Sequence, residues 1–208
     1  MKKSILILIA LLCSTIGHAK FYKAVLYLTD GSNKTGFAQF VETNDSKVYF
    51  KADEEAKTER ISSDELIRIV YTYNSGQLVT MDYLYLTSAN IFSKKISKSK
   101  RKSWFNILYS KEFKIGRIDD SGSNITNNFR ASSSSYFFEK NGKDQLVFGF
   151  NTLGNVAKSY STDARVKKMA KEVFADCPKM LEAIEKETFE LNTALYQLSS
   201  MFDKIKCN

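Results

Sequence analysis

From residue 22 to about residue 150 the chain alternates short runs of aromatic and β-branched residues with polar turns. A three- to four-residue apolar period takes over only after residue 160. Tyr22–Leu28 and Thr35–Val41 flank Asp30-Gly31, which predicts a first hairpin with a six-residue connection. Lys47–Lys51 alternates polar and apolar positions, and Leu66–Tyr73 does so again with Ile67, Ile69 and Tyr71 on one side. Both read as half-buried antiparallel strands. Between them, Ser62-Ser63-Asp64-Glu65 reads as a connector with room for one helical turn, because a hydroxyl can cap and acids suit the N-terminal dipole. Gln77–Leu86 is the most apolar strand, and Trp104–Tyr109 and Lys111–Ile118 follow it. Tyr136–Lys140 and Gln145–Phe150 flank Asn141-Gly142, a pair that tolerates the positive φ of a tight hairpin turn.

Beyond Thr162, the expected cap, Val166, Met169, Ala170, Val173, Phe174 and Cys177 form one apolar helical stripe. Pro178, the single proline, cannot continue that helix but fits the first turn of another. Leu191, Leu195, Leu198, Phe202 and Ile205 repeat the stripe to the C-terminus. The expected fold is therefore α+β. A mostly antiparallel sheet or partial barrel over residues 20–155 is followed by two or three helices in residues 156–208, packed on the sheet.

Residues 1–19 stand outside this pattern and read as a cleaved signal peptide. Lys2 and Lys3 form the basic region, Ile5–Cys13 the apolar region and Gly17-His18-Ala19 the small-x-small cleavage site. The apolar run of about a dozen residues is short of the roughly 20 that span a bilayer. Bulky Leu12 before Cys13 is unlike a lipoprotein signal. The protein is thus expected to be exported, periplasmic or secreted. Removal of Lys2 and Lys3 leaves 29 basic against 23 acidic residues, a formal charge of +6. That excess suits loose attraction to an anionic envelope lipid, lipopolysaccharide or cell-wall polymer. Nucleic acid is not an expected partner. Cys177 and Cys207, the two cysteines of the remaining chain, are expected to pair in an oxidising compartment and to pin the last helix beside its predecessor.

Three segments carry a resemblance: Ala24-Val25-Leu26-Tyr27-Leu28-Thr29-Asp30-Gly31, Thr35-Gly36-Phe37-Ala38 and Lys47-Val48-Tyr49-Phe50-Lys51. Together with Asp176-Cys177-Pro178 and Leu181, they resemble uncharacterised exported β-rich proteins of Bacteroidetes bacteria. The resemblance covers about a third of the chain and implies no activity. The basic stretch and the long final helix depart from its pattern.

His18, the only histidine, leaves with the signal peptide, which removes Ser-His-Asp and Cys-His machinery and the commonest zinc ligand. No metal site or cofactor is expected. Asp119-Asp120 lacks the spacing of an EF-hand loop and reads as a solvated turn. Carboxylate chemistry survives, since a glycosidase needs only two acids across a cleft. Asp82, which interrupts the apolar strand, is the candidate catalytic residue of that alternative reading. If Val79, Met81, Tyr83 and Tyr85 are the core face, however, Asp82 points to solvent.

The leading binding candidates are Lys94, Lys95, Lys98, Lys100, Arg101 and Lys102, six cations within nine residues, with Trp104 just beyond. Such a cluster suits an anionic surface, to which each basic residue can contribute about 1 kcal/mol. The competing expectation is a solvated loop with Trp104 turned into the core. The functional expectation is a non-catalytic, envelope-associated binding protein. The alternatives are a carboxylate-dependent hydrolase of envelope glycan and a module that engages another exported protein through a sheet edge.

Overall fold

The computed structural model describes residues 20–89, 96–120, 133–140, 142–152 and 161–207. The signal segment, Lys94 and Lys95 lie outside the described residues. The chain is α+β, a ten-stranded, mostly antiparallel sheet followed by three helices.

The first half runs β1 (Phe21–Leu28), β2 (Asn33–Gln39), β3 (Lys47–Lys51), β4 (Glu59–Ser62) and β5 (Leu66–Thr72). The β1–β2 connection has four residues rather than six, because Asp30 accepts from the Ser32 backbone and hydroxyl and Gly31 takes φ +86°. The second strand consequently begins two residues earlier than its apolar pattern suggests. β4 has no apolar run and escaped the sequence pattern; it is a short edge strand paired only with β3. The connector Ser63–Glu65 forms one helical turn, with Ser62 and Glu65 making a reciprocal capping box. In β5 the inward set is Leu66, Ile69 and Tyr71, while Ile67 is exposed. A register shift at Tyr27/Leu28 moves the alternation by one residue and corrects the expected Ile67 face.

The second half runs β6 (Leu78–Ala89), β7 (Ile96–Ser110), β8 (Phe113–Asp120), β9 (Ser133–Lys140) and β10 (Gln145–Asn151). β10 pairs in parallel with β6, Gln145 against Tyr85 and Leu146 against Leu86, which closes β6 to β10 into a five-stranded barrel. Cross-strand partners then define one interior. It holds Asp82, Leu84 and Leu86 of β6, Phe105 and Ile107 of β7, Lys114, Gly116 and Ile118 of β8, Phe137 and Glu139 of β9, and Leu146 and Phe148 of β10. Gly116 is required there, because a Cβ would overlap Leu146 Cδ1 and crowd Phe105.

The barrel is covered on two sides. Met81, Tyr83 and Trp104, on the outer face of β6 and β7, join Leu26, Phe50, Leu66, Ile69 and Tyr71 in the core of the first half. Phe113, Ile115, Phe138, Val147 and Phe150, on the outer face of β8 to β10, meet the helices. These are α1 (Thr162–Val173), α2 (Pro178–Lys186) and α3 (Ala194–Lys204). The stripe from Val166 to Cys177 is buried as expected, although α1 is capped by Ser161 rather than Thr162. Of the second stripe, Leu198 and Phe202 are buried and Leu191, Leu195 and Ile205 partly so, Leu191 and Ile205 lying outside α3. Pro178 opens α2, and Cys177 is bonded to Cys207 with Cα atoms 5.2 Å apart. The β7–β8 turn also grips α3: Lys111 reaches Asp203 at 2.6 Å and Glu112 accepts from the Cys207 backbone at 3.0 Å. Among the described residues, no helix is long and apolar enough to cross a membrane.

Candidate functional site

The basic run is not a loop over its described part. Residues 96–102 belong to β7 and pair with residues 85–89 of β6, whereas β8 joins β7 only from Asn106 onward. Among the described residues, β7 therefore runs beyond β8 as an arm with one open edge, its other edge bonded to β6, which is itself paired with β10 at residues 85–87. Three residues of β7, Ser99 to Arg101, are accommodated at a register shift where Ser99 Oγ accepts from Leu86 N at 3.0 Å and donates to the Arg101 carbonyl at 2.6 Å. This bulge lies within the cationic segment. Both lysines and bulges discourage unwanted pairing at a sheet edge.

The four described cations of the arm divide into two pairs. Lys98 is ion-paired with Asp144 at 2.9 Å and lies 4.0 Å from the centre of the Tyr85 ring. Lys102 lies over both Tyr85 and Tyr83, 5.4 and 5.9 Å from their centres. Tyr83 in turn packs on Trp104 at 4.9 Å, so rings and ammonium groups alternate along one face of the arm. Lys100 and Arg101 are exposed, as is Lys98, while Lys102 is half-buried. The turn before β10 adds exposed Lys143 beside Asp144, a neighbour that the linear cluster did not show.

Trp104 does not accompany these cations to the surface. It is 1% exposed, and its Nε1 donates to the Asp45 carbonyl and to Ser63 Oγ at 3.2 and 3.1 Å. Its backbone N–H donates to the Thr43 carbonyl at 2.9 Å. This corrects its expected role as an interfacial ring: burial in the first-half core with a satisfied N–H is the lower-energy use of a large indole.

Asp82 is likewise not on solvent. Both faces of β6 are covered, one by the first-half core and the other by the barrel, and Asp82 is 2% exposed. Arg68, its direct partner on β5, donates to it from Nε at 2.6 Å and from Nη2 at 2.9 Å. Lys114 Nζ lies 3.0 Å from its other side and 3.2 Å from Glu139. A chain of alternating charge, Arg68, Asp82, Lys114 and Glu139, thus runs into the barrel. Glu139 is the weak end. Lys114 stands at ion-pair distance but off the hydrogen-bond direction, and neither Glu139 oxygen accepts a hydrogen bond. Burial pushes its carboxyl up to about 7 against the opposing pull of Lys114. Glu139 is the second acid near Asp82 that a hydrolase reading requires, but both carboxyls are enclosed by protein rather than presented across a cleft.

An open cleft of ≈ 750 Å³ lies elsewhere, where the two halves meet. Phe40 to Asp45 and the base of the β5–β6 hairpin form one wall, and Asn106, Arg117 and Asp119 form the other. Phe40 and Tyr73 are its accessible rings, backed by Tyr71 at 5.0 Å and Tyr22 at 4.9 Å respectively. Asp119, read from the sequence as part of a solvated turn, accepts from Ser134 Oγ at 2.6 Å and lies 3.0 Å from Arg117 Nε. Among the described residues, no group of three or more His, Cys, Asp or Glu side chains is placed to hold a metal ion. No protein-family model matches the chain, and neither a curated protein nor a solved structure matches it.

Proposed function

We propose that this is an exported, non-catalytic binding protein that contacts an anionic envelope surface through the β6–β7 arm. The observation that carries the reading is the placement of Lys100 and Arg101, both exposed on the part of β7 that runs beyond β8, beside Lys98, Lys102 and Lys143. Export is supported by the signal-like residues 1–19 and by the Cys177–Cys207 disulfide, a bond favoured in oxidising compartments. The hydrolase alternative loses support from the enclosure of Asp82 and Glu139.

Cosedimentation of the purified protein with phosphatidylglycerol-containing and pure phosphatidylcholine vesicles, at low and high salt, tests this function. The expected result is selective, salt-sensitive binding to the anionic vesicles. The double variant Lys100→Gln/Arg101→Gln should reduce partitioning by about 30-fold, at about 1 kcal/mol per basic residue. Equal sedimentation with both vesicles, or no effect of the double variant, rejects the arm as a binding surface. Increased self-association of the variant without any change in vesicle binding would instead identify the cations as protection for the β7 edge.

A further inference from the structure

We infer that the cleft between the two halves is a binding site for a neutral oligosaccharide, which stacks on Phe40 and Tyr73 and is hydrogen-bonded by the planar polar side chains around them. The inference is independent of the basic arm. Its starting point is the composition of the walls. Two accessible aromatic rings stand with amides from Gln77 and Asn106, a guanidinium from Arg117 and the carboxylate of Glu42. A sugar ring offers the matching surfaces: apolar C–H faces for aromatic contact and adjacent hydroxyls that donate and accept at once. Amide, guanidinium and carboxylate groups can each engage two such hydroxyls in one plane. The volume falls within the roughly 300–1,000 Å³ usual for small-ligand sites.

The site is also held in place before any ligand arrives, which lowers the ordering cost of binding. Tyr71 Oη donates to the Gln39 carbonyl at 2.8 Å, fixing the end of β2 from which Phe40 emerges. Asp45 accepts from the Glu42 backbone at 2.8 Å, and the two N–H groups of Trp104 hold the Asp45 and Thr43 carbonyls. Loop 42–45 is therefore tied to the barrel wall rather than left to close on demand.

The carboxylates could suggest a cation instead, but much of their charge is already engaged. Asp119 faces Arg117 and Ser134, and Asp45 is occupied by the Glu42 backbone. Arg117 Nε, by contrast, is a buried donor with no hydrogen bond despite its proximity to Asp119. The wall therefore offers both donors and acceptors, which is the requirement of hydroxyl groups rather than of an ammonium.

The test is isothermal titration of the purified protein with maltohexaose, cellohexaose and the hexamer of N-acetylglucosamine, with spermine as the cationic probe. Emission from Trp104, the only tryptophan and a cleft residue, is followed in parallel. The expected result is saturable binding of at least one oligosaccharide, an accompanying change in emission and no saturable binding of spermine. Tyr73→Ala should weaken the binding at least tenfold. Gln77→Ala, at an exposed position that should not disturb folding, should weaken it severalfold, while Lys100→Gln/Arg101→Gln should leave it unchanged. No binding across the panel, binding of spermine in preference to the sugars, or sugar binding indifferent to Gln77→Ala would each overturn the assignment.

Discussion

Lys114 and Glu139 face each other directly across β8 and β9 inside the barrel, their charged atoms 3.2 Å apart, yet the glutamate accepts no hydrogen bond. The ammonium is aimed instead into a site shared with Asp82, which also holds both donors of Arg68. One carboxylate is strongly held and the other is merely accompanied. Burial without a hydrogen bond raises the Glu139 carboxyl above its ordinary value.

Glu139 therefore makes stability fall as pH rises. Below its ordinary value of 4.5 the carboxyl is protonated in both the folded and the unfolded chain; between 4.5 and about 7 only the folded chain retains the proton. Its contribution is complete below the lower value and lost by the upper one. Denaturant unfolding of the protein and of Glu139→Gln at pH 4 and pH 8 isolates it. The stability of the original chain relative to the variant should drop by up to about 3 kcal/mol between the two. A pH-independent difference would show that Glu139 titrates normally.

Asp82→Asn should be among the most damaging single changes. It removes the charge that neutralises Arg68 and Lys114 together, and breaking a buried ion pair from one side costs about 3–5 kcal/mol. Glu172→Gln, at an exposed position on α1, serves as the comparison and should fall within about 0.5 kcal/mol of the original. Equal midpoints for the two variants in urea would contradict the proposed importance of the Asp82 network.

Trp104 offers a rapid check of the packing between the halves. Its 1% exposure predicts a blue-shifted emission with little quenching by acrylamide, reverting to a solvent-exposed spectrum only on unfolding. Trp104→Phe retains most of the apolar volume but deprives the Asp45 carbonyl and Ser63 Oγ of a donor, so a loss of about 1–3 kcal/mol is expected. Strong quenching in the native protein would place the ring at the surface.

The disulfide should act chiefly on the helices. It spans 30 residues and joins the start of α2 to the segment after α3, so its removal frees about 3–4 kcal/mol of loop entropy in the unfolded chain. Cys177→Ser/Cys207→Ser should therefore lower the unfolding midpoint. Hydrogen exchange in α2 and α3 should rise before that in the barrel, because the barrel interior has its own core. Uniform exchange throughout would mean that the helices and barrel unfold as one unit.

The local pattern was sufficient wherever one face of an element meets one environment. The stripe from Val166 to Cys177 is buried along its length, Pro178 starts a helix, and β3 spans Lys47–Lys51 as its alternation predicts. The strands on either side of Asn141-Gly142 also pair, with Gly142 at φ +102°. These outcomes follow from periodicity, the fixed φ of proline and the steric freedom of glycine, all of which act over a few residues.

Asp82 and Trp104 were different because each lies on a strand with cover on both sides. Alternation can assign two faces, but it cannot reveal that β10 returns to β6 and turns the apparently outer face into a barrel interior. The partners of Asp82 come from β5, β8 and β9, and only closure brings Lys114 and Glu139 to it. The cationic run was visible as composition. The placement of Lys98 and Lys102 against tyrosines, and of Lys100 and Arg101 within the bulge at Ser99, depended on the β6–β7 register. The sequence by itself determined the β-then-α order, the buried stripe of the first helix and the cysteine pairing partners, because short-range sterics and apolar spacing suffice for those. Tertiary structure alone decided which charges are buried and which remain in water, because desolvation depends on what covers a residue from elsewhere in the chain.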